Sequence, residues 1–221
     1  MEKKISLNDP SYKIVNYPRP SLVYLLVSYL VVWPLFRLFF RGRVYGISNV
    51  PLSGPLVVVS NHGSHLDPPL LGHALGRPVA FMAKAELFRI PLLGKIIHAC
   101  GAYPVKRGAS DREAIRVATS KLNEGWAIGV FLDGTRQENG MVNSPLPGAA
   151  FLAARTGAKI LPVAVVNSHK ALPAKIAFPR FCQLKLRVGL PVSAPTSRTK
   201  KSLEITTKLL QQSINSMLEN S

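Results

Sequence analysis

A single stretch limits the folds open to this chain more than any other. Leu56-Val57-Val58-Val59 is a run of four apolar residues, three of them β-branched, bounded by turn residues. Such a run predicts a core strand. It leads into Ser60-Asn61-His62-Gly63-Ser64-His65-Leu66-Asp67, and then into Pro68-Pro69-Leu70-Leu71. Proline is tolerated in the first turn of a helix, so Asp-Pro-Pro reads as the entry to one. Strand, polar turn and helix in that order make the first half of a βαβ unit. Open α/β sheets place ligands outside the carboxyl ends of their strands. His62 and Asp67 are therefore expected at such an end.

The rest of the chain continues the alternation. Strands are expected at Val44-Tyr45-Gly46, at residues 79–83, at Tyr103-Pro104-Val105 and over 127–132, 160–166 and 184–188. Helices are expected at 70–75, 111–124, 149–156 and 199–218. Pro91 and Gly94 should break the segment from Glu86 to Ile97 into short pieces. Gly125 and Gly157 stand where helix stops belong. The closing helix carries Leu203, Leu210, Ile214 and Met217 on one face. Strands alternating with helices make an α/β domain, with no repeat and no second domain.

The N-terminal part differs. No charge falls between Arg19 and Arg37, and Leu22 to Phe36 is apolar except for Ser28 and the aromatic hydroxyls. Spanning a bilayer takes about 20 apolar residues, with about 17 at the lower limit. Pro34 interrupts the run, and Arg37, Arg41 and Arg43 flank Leu38-Phe39-Phe40. That pattern suits a helix pair dipped into one leaflet better than a clean span. A single transmembrane anchor and a buried core helix are the other readings. The division is thus a membrane-associated segment, 1–43, followed by one domain, 44–221. A cleavable signal peptide is not evident.

Charge narrows the partners. The chain has 28 Lys and Arg against 11 Asp and Glu, a formal charge of +17. From Asn139 to Leu203 there is no carboxylate, while ten basic residues lie between Arg155 and Lys201. So positive a field points to an anionic partner. There is no helix-turn-helix or zinc-finger pattern and no aromatic interleaving, which argues against nucleic acid. Membrane phospholipid headgroups fit, given the apolar N-terminal segment. Cys100 and Cys182 make neither a disulfide framework nor a metal site and are expected reduced and buried.

A His and an Asp five residues apart at a strand end can do chemistry. A carboxylate can hold one imidazole nitrogen, fix the tautomer and stabilise the imidazolium, leaving the other nitrogen to take a proton. The same spacing also reads as an N-capping Asp near a satisfied His. A zinc cluster of His62, His65 and Asp67 is disfavoured, because His-x2-His followed by Asp is not a familiar ligand spacing and no thiolate is close. There is no G-x-S-x-G elbow, so a serine nucleophile has no support.

Four blocks in order decide between these readings. They are Asn61-His62-Gly63-Ser64-His65-Leu66-Asp67, Gly101-Ala102-Tyr103-Pro104-Val105-Lys106-Arg107, Phe131-Leu132-Asp133-Gly134-Thr135-Arg136 and Leu161-Pro162-Val163-Ala164-Val165. With these the chain resembles the glycerolipid acyltransferases, most closely the 1-acylglycerol-3-phosphate acyltransferases, over roughly residues 55–190. The resemblance implies a single α/β domain with a mixed central β-sheet flanked by helices. It implies transfer of a fatty acyl group from acyl-CoA or acyl-carrier protein to lysophosphatidic acid, with no other cofactor and no metal. It also implies a membrane location, taken to be the cytoplasmic face. By motif position, His62 would be the general base and Asp67 its orienting carboxylate. Arg107 and Arg136 would bind the acceptor phosphate, with Lys106, Gly134, Thr135 and Asp133 beside them. Two departures stand out: Leu132-Asp133 replaces the usual Pro-Glu, and Leu146-Pro147-Gly148 lacks the usual lysine. They leave the exact acceptor more open than the reaction type. Backbone amides near Gly63 are the expected source of oxyanion donors.

Overall fold

The computed structural model describes residues 20–105, 111–173 and 178–220. Its strands are β1 (Arg43–Tyr45), β2 (Leu56–Ser60), β3 (Val79–Lys84), β4 (Tyr103–Val105), β5 (Ala127–Phe131), β6 (Lys159–Val166) and β7 (Lys185–Val188). They form one sheet in the order β1-β7-β6-β2-β5-β3-β4. Every neighbouring pair is parallel except β6 with β7. The sheet is therefore mixed, as expected, and β2 lies inside it with β6 and β5 on either side. The helices are α1 (Leu22–Phe39), α2 (Asp67–Ala74), α3 (Leu93–Ala99), α4 (Asp111–Asn123), α5 (Gly148–Thr156), α6 (Ser168–Ala171) and α7 (Lys200–Glu219).

The apolar run in β2 is explained by cover on both faces. Val57 and Val59 pack with Leu122 of α4, Leu152 of α5 and Leu210 and Ile214 of α7. Leu56 and Val58 pack with Leu70 and Leu71 of α2 and with Phe36 and Phe40 from the N-terminal segment. A strand buried on both sides has no reason to alternate. Thr199 caps α7, its hydroxyl accepting the Ser202 amide. Gly157, at φ +68°, ends α5.

The N-terminal segment corrects one expectation. Pro34 does not divide it into two helices; one helix runs from Leu22 to Phe39. Its turns widen on both sides of the proline, so that the Trp33 amide reaches the Ser28 carbonyl and the Phe40 amide the Leu35 carbonyl. Local π-type turns of this kind absorb a residue that cannot donate. Nor is α1 a buried core helix. Ser28, Val32 and Phe36 are buried along one stripe, while Leu22, Leu26, Tyr29, Leu30, Val31, Trp33 and Leu38 are exposed. Three side-chain bonds hold that stripe to the domain: Ser21 Oγ to the Ala99 carbonyl, Tyr24 Oη to the Gly72 carbonyl at 2.6 Å, and Ser28 Oγ with His73 Nδ1 at 2.6 Å.

Gly94 also differs from expectation. It does not interrupt the following helix but lies within α3, which begins after Leu92 at φ +65°. Cys100 and Cys182 are free, as expected, but half-buried rather than fully buried, and burial pushes both thiols up.

Candidate active site

The site is built at the carboxyl end of β2. Asp67 begins α2, and its carboxylate turns back over the preceding turn. Its Oδ2 accepts the Gly63 and Ser64 amides at 2.8 Å each and lies 2.8 Å from Nδ1 of His62. The orienting reading of the spacing is realised and the N-capping one is not: Leu66 stands at the N-cap of α2, no side chain caps that helix, and Asp67 instead binds the turn before it. The two amide contacts anchor the carboxylate, and the anchored carboxylate holds the imidazole. An oxygen that only accepts requires Nδ1 to donate, which leaves Nε2 of His62 as the acceptor. The Asp67 side chain is fully buried and the His62 side chain 15% exposed. One is fixed; the other can be reached.

A second constraint comes from β5. The His62 ring stacks on Phe131, centroids 3.8 Å apart and planes within 10°. Phe131 is backed by Phe81 of β3 at 5.5 Å. Gly129 makes this stack possible, since a Cβ there would lie 2.1 Å from the Phe81 ring. With one nitrogen bonded and one face covered, the imidazole is held in a single orientation, which is what a general base needs.

Asn61 ties the turn to its neighbours. Its Nδ2 donates to the carbonyls of Gly140 and Val165, and its Oδ1 accepts the Val165 amide. All this lies at the ends of β2 and β6. The Gln137 amide donates to the His62 carbonyl at 2.8 Å, closing the loop after β5 over the same edge.

Within that loop the expected residues separate. Gly134 takes φ +65°, a turn that L side chains rarely adopt. Thr135 is exposed. Asp133 is nearly buried and faces the loop's own backbone: Oδ1 accepts the Ser144 amide and Oδ2 the Asn143 amide, both at 3.0 Å. In the structure it braces the loop rather than pairing with Arg136. Arg136 is half-buried, and its Nη1 is shielded from solvent with no hydrogen-bond partner among the described residues. Burial lowers the pKa of the His65 imidazole, and the positive charges of Arg136, His62 and Lys84 lower it further. His62 and Arg136 are thus both within electrostatic reach of His65. Lys106 and Arg107 lie outside the described residues.

The amides near Gly63 are not open oxyanion donors; Asp67 takes those of both Gly63 and Ser64. Other features had no sequence signal. Phe131 reads as an ordinary strand residue until the ring stack is seen. Ser168 opens α6 with its hydroxyl buried and unpartnered among the described residues, as is Oδ1 of Asp67. The Ser168 hydroxyl would lie 3.0 Å from a Cβ at Gly63, so the start of α6 backs directly onto the His62–Asp67 turn.

An apolar cavity of about 310 Å³ lies beside the turn. His65 and Pro68 line it on the side of the His62–Asp67 turn, Tyr24 and Val32 on α1, Phe81 on β3 and Ile97 on α3. Such a space takes a hydrocarbon chain.

The Acyltransferase family matches residues 41–166, more than half of the chain. A 1-acyl-sn-glycerol-3-phosphate acyltransferase of Bacillus subtilis is 30% identical over 185 residues, covering 80% of this chain and 88% of the relative. A chloroplastic 1-acyl-sn-glycerol-3-phosphate acyltransferase of Arabidopsis thaliana is 33% identical over 138 residues, covering 61% of this chain and 38% of the relative. The chain thus spans about two fifths of the plant relatives it matches. The crystal structure of the 1-acyl-sn-glycerophosphate acyltransferase PlsC of Thermotoga maritima superposes with a TM-score of 0.70 at 24% identity, over 89% of this chain and 86% of that one.

Proposed function

Since the chain belongs to the Acyltransferase family, we propose that it transfers a fatty acyl group from a thioester to the free hydroxyl of 1-acyl-sn-glycerol 3-phosphate, giving phosphatidic acid. The observation that carries this reading is the His62–Asp67 pair, fixed by three N–H donors beside a chain-sized apolar cavity. The acceptor hydroxyl attacks the thioester carbonyl while Nε2 of His62 takes its proton. Asp67 holds the imidazolium that forms. The carbon–sulfur bond then breaks, and the proton passes from His62 to the departing thiolate. A positioned base is worth about 10²–10⁴-fold in rate. The donor's acyl chain lies in the cavity. The acceptor's phosphate meets Arg136, whose Nη1 has no hydrogen-bond partner among the described residues.

The same reading places the protein on the cytoplasmic membrane face without spanning the bilayer. α1 contacts the domain from Ser21, through Tyr24 and Ser28, to Phe36. A helix held along its whole length lies flat in the interface, with its exposed apolar side in the acyl region.

The test is acylation of lysophosphatidic acid by the purified, membrane-reconstituted protein, with labelled acyl-CoA and labelled acyl-carrier protein supplied in turn. Phosphatidic acid formed from either donor supports the reading and identifies the donor. Transfer to other lysolipids with none to lysophosphatidic acid overturns the acceptor. No transfer to any acceptor overturns the reaction.

A further inference from the structure

The antiparallel pairing of β7 brings distant segments to the catalytic edge. Val166, at the end of β6, is paired with Lys185, and Lys185 with Arg43 at the start of β1. The end of α1 and the segment before β7 therefore lie at the edge where β2 delivers His62. The backbone fixes both: the Leu184 amide donates to the Phe40 carbonyl, the Arg43 amide to the Leu184 carbonyl, and the Arg180 amide to the Ala171 carbonyl.

The side chains on this edge face outward. Phe178 is 81% exposed, Phe181 59%, Leu38 67% and Phe39 42%. Phe39 and Phe181 meet edge to face at 6.2 Å, and the Arg41 guanidinium lies 5.5 Å from the centre of the Phe181 ring. Lys170, Arg180 and Arg43 are exposed nearby in sequence or pairing, and no carboxylate occurs from Asn139 to Leu203. Large aromatic rings held outward among cations are costly in water and favourable where headgroups meet acyl chains.

We propose that this rim, Phe39 and Arg41 with Phe178, Arg180 and Phe181, is a second membrane contact that seats the catalytic edge on an anionic bilayer. The proposal rests on the reading that α1 lies in the membrane, and the rim continues that surface. With contacts at α1 and at the rim, the domain cannot pivot about its helix. A lysolipid then leaves the bilayer facing His62.

The test uses the full chain with vesicles of phosphatidylcholine and phosphatidylglycerol brominated on their acyl chains. The chain has two tryptophans, and Trp126 is buried, so Trp33 reports on α1. Phe178→Trp in a Trp33→Phe background reports on the rim. Quenching in both proteins supports the proposal. Quenching of Trp33 alone overturns it and leaves α1 membrane-bound; quenching of neither overturns both. A dimer in micelles together with an unquenched Phe178→Trp protein would assign the rim to a second copy and overturn it too. As a functional measure, Phe178→Ser with Phe181→Ser should lower activity on lysolipid in vesicles by about tenfold or more, because burying one such ring is worth one to two decades in partition. Activity on detergent-dispersed lysolipid should stay unchanged. Equal activity of variant and parent on vesicles would overturn the proposal.

Discussion

His62 depends on others for its orientation, and this decides what substitutions around it do. His62→Ala removes the proposed proton acceptor together with its bond to Asp67 and its stack on Phe131, so kcat should fall about 10²-fold or more while the melting temperature drops only modestly. Asp67→Asn should be comparably severe, because an amide can mis-set the tautomer and cannot offset the imidazolium. It should also lower stability, since the Gly63 and Ser64 amides bond to the oxygen it alters. His65→Ala, three residues on from His62 but outside the hydrogen-bonded pair, should cost much less. Melting curves beside kcat separate the three. Arg136→Ala should act on the acceptor: a charge-assisted bond is worth roughly 1.5–3 kcal/mol. A loss of about one to two decades in kcat/KM for lysophosphatidic acid is expected, with the donor KM little affected. A change confined to the donor would place Arg136 at the other end of the site. The pair itself was legible in the sequence because its partners are five residues apart on one turn. The Phe131 stack was not, because its two rings come from separate segments, nor were the Asn143 and Ser144 partners of Asp133, because the backbone path of an irregular loop leaves no periodic pattern.

Among the elements, α1 shows where composition stops being informative. Hydropathy marks Leu22 to Phe39 as membrane-seeking, but only packing shows that it also roofs the domain. The buried residues Val32, Phe36 and Phe40 recur every fourth position, a stripe hidden within an all-apolar run. Phe36 is 2% exposed and packs in the same core cluster as Leu56 and Val58 of β2. Phe36→Ala should therefore destabilise the domain by about 3–5 kcal/mol, the usual range for a buried phenylalanine. Leu30→Ala, on the outward side at 69% exposure, should leave stability nearly unchanged and weaken membrane retention. Denaturant unfolding in micelles and salt-washed membrane pelleting measure the two effects. Equal destabilisation by both would mean that the stripe is not what docks the helix. Deleting residues 1–43 should release the protein from membranes and unfold part of the core as well. The strands, by contrast, were legible because both faces of the sheet are covered, and continuous β-branched runs have few other uses.

For the molecule as a whole, charge and burial act together on acid. The chain already carries a formal charge of +17, so each further proton adds self-repulsion. Three histidines have lowered pKa values, and burial is the first cause for each: His65, His73 and His169. For such a group the unfolded chain takes up a proton at the ordinary value near 6.5, whereas the folded protein resists until a lower pH. Below 6.5 the unfolded state therefore binds more protons, and stability falls as pH falls. The contribution is complete above that value and is lost progressively on acidification. His73 is the clearest case, held between α2 and α1 by Ser28 and edge-on to Tyr29 at 5.7 Å. The melting temperature should thus drop between pH 8 and 5.5, and more shallowly in His73→Gln, which keeps a bond to Ser28 without titrating. If the two slopes coincide, the acid sensitivity lies elsewhere and α1 does not loosen through His73. If α1 is the first element to loosen, Trp33 fluorescence should shift over the same pH range in the parent and not in the variant.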